Sequence, residues 1–88
     1  MNDPVLGRLD GKVPQCLIDR MYRPADLLCT PEEWYSAIIE LDEKLSKLHP
    51  DYAIRQIKQK FGGLRFYASG VDDEGVGLII DCQQECRL

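Results

Sequence analysis

The chain has 88 residues and a mass of 10.1 kDa, enough for one small domain and too little for a second core. Hydrophobic residues make up 44%, a globular rather than disordered composition, and no apolar run reaches the ~18 residues a membrane span needs. A net charge of −4 argues against a general binder of nucleic acid or anionic membrane.

The opening MNDPVLGRLDGK lacks the apolar stretch of an export signal, so a cytoplasmic location with reduced cysteines is expected. Residues 1–13, with Pro4, Gly7 and Gly11, read as a flexible arm ahead of a single domain over 14–88. Pro14 to Tyr22 suits a short helix, with Leu17, Ile18 and Met21 on one side and Pro24 beyond its end. Thr30 to His49 carries the strongest pattern. Thr30 is a good N-cap, Pro31 suits the first helical position, and Glu33 completes a capping box. Trp34, Ile38, Leu41, Leu45 and Leu48 then form one helical stripe, with Trp34 read as a core residue rather than as an exposed anchor for a partner. Glu40 with Lys44 and Glu43 with Lys47 form i,i+4 pairs, and His49-Pro50 ends the helix.

Tyr52 to Phe61 is ambiguous, because Ile54, Ile57 and Phe61 fit a helical period better than strand alternation. Leu64 to Ala68 is strand-like, with Leu64, Phe66 and Ala68 on one face and Arg65 and Tyr67 on the other. Phe61 and Phe66 read as core, and Gly62-Gly63 supplies the positive φ angles of a tight hairpin. In the tail, Val76, Leu78, Ile80 and Cys82 alternate like a strand, while Leu78, Cys82 and Cys86 equally share a helical face that Asp72 or Asp73 would cap.

Charge is unevenly spread. Tyr52 through Val71 contains no acid, and Arg55, Lys58, Lys60 and Arg65 give it +4. Thr30 through Asp51 holds six acids against Lys44 and Lys47, a balance of −4. Solvated faces that attract each other are the simpler explanation. Basic side chains interleaved with aromatics on a small sheet are also what binders of single-stranded nucleic acid use.

Trp34, Leu41, Leu45, the Pro50-Asp51-Tyr52 step and the run Gln56-x-Lys58-x-Lys60-Phe61-Gly62-Gly63-Leu64-Arg65-Phe66-Tyr67 together resemble a family of small proteins of phages, prophages and bacterial genomes. The resemblance spans Trp34 to Tyr67, and its run of matches is specific. It implies that 52–60 is the first strand of a hairpin and that a helix over 74–86 follows. Many relatives carry a Cys-x-x-Cys-Gly ending that looks metal-binding; it is not found before Leu88, so no metal role is carried over. The family has no activity to transfer.

No catalytic constellation is visible. Cys16, Cys29, Cys82 and Cys86 lack the short knuckle spacing of a zinc site and read as small buried or half-buried thiols. His49 has no cysteine beside it. Gly62-Gly63 lacks the residues of a phosphate loop, and Asp72-Asp73-Glu74 reads as a solvated loop or helix start rather than a calcium loop. Neither metal nor cofactor is expected.

These patterns predict an α+β domain of order α-β-β-α, an antiparallel hairpin packed on an amphipathic helix. The expected function is non-enzymatic: a mobile-element protein that binds a host protein, in its sharpest form an anti-CRISPR-like inhibitor of a host defence system. The acidic face of Glu33, Glu40 and Glu43 would then mimic phosphate toward a nucleic-acid-binding complex. The alternative is nucleic-acid binding or regulation through the basic hairpin residues Arg55, Lys58, Lys60, Arg65 and Tyr67. No membrane partner is expected, and a free strand edge would admit a homodimer by edge pairing.

Overall fold

Pro14, in extended backbone, starts helix α1 (Gln15–Arg20), as a proline with no N–H to donate can. This is the first element of the computed structural model, which describes residues 13–87. The arm expected over 1–13 lies outside the described residues except for Val13, which is buried in the core.

After α1 the chain takes a 3-10 helix, Pro24–Cys29, and a second, Glu32–Trp34, which leads into α2 (Tyr35–Leu48). The long helix therefore starts later than the capping pattern predicts. Thr30 is buried, and its hydroxyl donates to the Leu27 carbonyl at 2.9 Å. It closes the preceding turn instead of accepting from the helix, so no capping box forms. Pro31 is extended (φ −61°, ψ 140°) and offers no side-chain cap. The Tyr35 hydroxyl donates to the same Leu27 carbonyl at 2.7 Å, fixing the first turn of α2 on the 3-10 segment.

Trp34, Ile38, Leu41 and Leu45 are buried as the stripe requires. Leu48 is not, at 41% exposure: α2 ends on it, and the His49 N–H turns back to the Leu45 carbonyl at 2.7 Å. The Glu40–Lys44 ion pair forms at 3.2 Å, but Glu43 and Lys47 make none among the described residues.

Strands β1 (Ala53–Lys60) and β2 (Gly63–Ser69) pair antiparallel, with Ile57 opposite Phe66 and Lys58 opposite Arg65. The turn between them has positive φ at Phe61 (55°) and Gly62 (75°), as a type I′ turn needs at both central residues. The glycine pair is thus displaced by one: Gly63 is the first residue of β2. Phe61 stands at the tip, 92% exposed, not in the core. Helix α3 (Asp73–Glu85) follows, its N-cap Asp72 accepting from the Gly75 N–H at 3.0 Å. Gly75 also lets α3 approach α2, since a Cβ there would stand 3.3 Å from Leu45 Cδ2.

The architecture is α+β, in the order α-β-β-α after the short α1. The helices cover one face of the hairpin, where Ile54, Ile57, Leu64 and Phe66 join the α2 stripe with Ile79 and Cys82 of α3. Neither sheet edge is free for pairing at its centre. On the β1 side Ile54 C=O accepts from the Tyr22 N–H at 2.9 Å, and the Ile57 N–H donates to Asp26 Oδ2 at 3.0 Å. On the β2 side the Leu64 N–H donates to the Cys86 carbonyl at 3.0 Å, and the Phe66 N–H to Gln83 Oε1 at 2.9 Å. The open edge on which the homodimer rested is therefore covered from within the chain.

Candidate binding face

Side chains alternate across a strand. With Ile57 and Phe66 on the helix side, the pairs Lys58–Arg65 and Gln56–Tyr67 stand on the opposite, solvent side. A bulge between Ile54 and Gln56 breaks the alternation at Arg55. It keeps Ile54 and Ile57 both buried although they are three residues apart, and it turns Arg55 outward at the β1 edge.

Three aromatic rings lie exposed along this hairpin, and each carries a cation. Arg55 Cζ is 4.9 Å from the Tyr22 ring centroid, Lys58 Nζ is 5.6 Å from Tyr67, and Lys60 Nζ is 5.5 Å from Phe61. The rings are 64%, 46% and 92% exposed respectively. An exposed contact of this kind is worth about 0.5–1 kcal/mol, enough to order the side chains but too little to account for leaving three rings in water. Phe61 is the clearest case. A bulky residue in the left-handed region costs about 1–2 kcal/mol relative to an ordinary conformation, and this one gives the core nothing in return.

All five residues of the expected basic hairpin, Arg55, Lys58, Lys60, Arg65 and Tyr67, thus come together on one surface. Tyr22 and Phe61 join them. Sequence reasoning did not place Tyr22 beside Arg55, which only the Tyr22–Ile54 backbone contact does, and it assigned Phe61 to the core. Cations spaced along a strand suit a chain of phosphates, and exposed rings suit flat bases.

The acidic residues Glu33, Glu40 and Glu43 are all exposed, on the helical layer away from this face. Glu40 borders a groove of about 140 Å³ shared with Asp81 and Glu85 of α3. Asp42, another of the six acids between Thr30 and Asp51, is buried instead. It accepts from Arg20 Nη1 at 2.5 Å and from the Tyr52 hydroxyl. Burial first, then this acceptor, raises the Tyr52 pKa above its ordinary value. For Arg20 burial works against the charge, but the Asp42 hydrogen bond and charge prevail and raise its pKa. The cluster ties α1, α2 and the start of β1 together.

Elsewhere the ionisable groups serve the fold. His49 Nε2 lies 3.0 Å from Asp72 Oδ1; the Gly75 N–H and then His49 hold the Asp72 carboxyl below its usual range. Burial, and then Cys86, push the Cys82 thiol up to about 12, and burial raises Cys86 as well. That is the opposite of what a thiolate nucleophile needs. Cys16 and Cys29, expected buried or half-buried, are exposed. Among the described residues no group of three or more His, Cys, Asp or Glu could hold a metal ion, and no helix is long and apolar enough to cross a membrane. No family model matches the chain, and neither a curated protein nor a solved structure does.

Proposed function

We propose that this chain is a small, non-enzymatic binding protein whose working surface is the outer face of the β1–β2 hairpin, and that it takes single-stranded nucleic acid there. One observation carries this reading: three exposed rings, Phe61 and Tyr67 of the hairpin and Tyr22 packed beside it, are each paired with a cation from a hairpin segment that contains no acid. The net −4 speaks against nucleic acid only if charge is evenly mixed, and it is not. β1 gives the strip a length of about 25 Å, room for several nucleotides of an extended strand. Titrating isotope-labelled protein with a short oligonucleotide tests the assignment. Amide shifts confined to 55–67 and Tyr22 are expected; shifts confined to α2 and α3 would refute it.

A second reading has its own support. Glu33, Glu40 and Glu43 are exposed together on the helical layer, with Asp81 and Glu85 across the groove from Glu40. That surface suits a basic site on a host protein, such as a nucleic-acid-binding complex of a defence system, and the phage-type motif from Gln56 to Tyr67 supplies the setting. Reversing the charges of Glu40 and Glu43 is expected to abolish capture of such a basic partner; unchanged capture would end this reading.

A further inference from the structure

At the hairpin tip, the start of β2 meets the end of α3 and encloses a half-open cleft of about 360 Å³, within the usual range of small-ligand pockets (about 300–1,000 Å³). Three cations line it: Lys60, Arg65 and Arg87. Arg87 belongs to neither strand. It is pinned there by a backbone bridge to Gly63 and by the Leu64 N–H bond to the Cys86 carbonyl at 3.0 Å. None of the described residues lining the cleft is acidic, in a chain where acids outnumber bases 15 to 11. Phe61 and the half-exposed Ile80 add apolar walls.

We infer that this cleft is the subsite for the phosphate of a nucleoside phosphate, taken either at the end of a single strand lying along the hairpin or as a free mononucleotide. The strand-end form rests on the hairpin reading above. Two guanidiniums offer planar donor forks that match phosphate oxygens, and Lys60 adds a point charge. A terminal phosphomonoester carries about −1.5 to −2 at neutral pH against −1 for an internal diester, so the cleft discriminates a phosphorylated end from the middle of a strand. The Phe61 ring at its rim is where the attached base stacks.

The test uses the full chain, single strands of one sequence ending in phosphate or hydroxyl, a nucleoside monophosphate, and an acidic peptide bearing an aromatic residue. Fluorescence anisotropy at about 50 mM salt is expected to show the phosphorylated strand binding about tenfold more tightly than its hydroxyl-ended twin. Arg87→Gln should erase that difference, leaving the hydroxyl-ended strand and the thermal midpoint unchanged. Equal affinity for the two strands in the wild type would overturn the strand-end assignment. If neither strand binds but the nucleoside monophosphate does, through Arg87, the hairpin reading fails and the cleft stands for the free nucleotide. Failure of the monophosphate together with binding of the acidic peptide would overturn the cleft assignment and give the surface to a protein.

Discussion

Asp42 and Phe61 show opposite relations between a residue and the fold. Asp42 is a buried acceptor for Arg20 and Tyr52. Removing it as Asp42→Ala leaves a part-buried guanidinium and a buried hydroxyl without their partner, so a loss of about 2–4 kcal/mol is expected, read from urea unfolding. Tyr52→Phe removes one hydrogen bond and should cost about 1 kcal/mol. Phe61, exposed and at φ 55°, should behave the other way. Phe61→Asn, which tolerates the left-handed region, is expected to leave stability unchanged or raise it by up to about 1 kcal/mol, while weakening ligand binding. A marked loss of stability in that variant would mean that the ring serves the fold. The buried thiols set a pH limit. Cys82 keeps its proton up to about 12 in the fold but loses it near 9.0 when unfolded. Above pH 9 the folded state therefore binds more protons, and stability must fall as pH rises. A decline on the order of 1 kcal/mol between pH 8 and 10 is expected, and Cys82→Ala should flatten it.

Element by element, legibility in the sequence follows how local each cause is. The α2 stripe and the β2 alternation were readable because one face of each is buried against the same core. β1 was not readable from its pattern, and the reason is the bulge: the spacing of Ile54 to Ile57 matches a helical step because the strand carries an extra residue between them. The motif resemblance, rather than periodicity, supplied the strand. The start of α2 is not legible from its capping pattern because Thr30 spends its hydroxyl on Leu27, a contact set by the preceding 3-10 turn. The covered strand edges were invisible because Asp26 and Gln83 reach Ile57 and Phe66 from 31 and 17 residues away. Asp26→Ala strands the Ile57 N–H, so it should cost about 1–3 kcal/mol and speed hydrogen exchange at Ile57.

At the scale of the molecule, the sheet separates two charges. Its outer face carries Lys58, Lys60, Arg65 and Tyr67, while Glu33, Glu40 and Glu43 lie on the helical layer. The five basic-hairpin residues were legible in the sequence as a charge run, but their company was not. Tyr22 arrives through tertiary structure, and Phe61 is exposed by a one-residue shift of the turn. Such a dipolar surface would orient an approaching anion toward the hairpin and repel it from the helices. The most direct test of the central claim is the affinity for an unmodified single-stranded oligonucleotide across a salt series, for the wild type, Phe61→Ala and Tyr67→Ala. With about four phosphates neutralised, log K should fall against log salt with a slope of about −3. Each ring variant should bind about 5- to 100-fold more weakly while still folding cooperatively, Tyr67→Ala with the small loss of stability that removing its contact with Lys58 entails. Absent or salt-insensitive binding, or ring variants that bind like the wild type, would contradict the account.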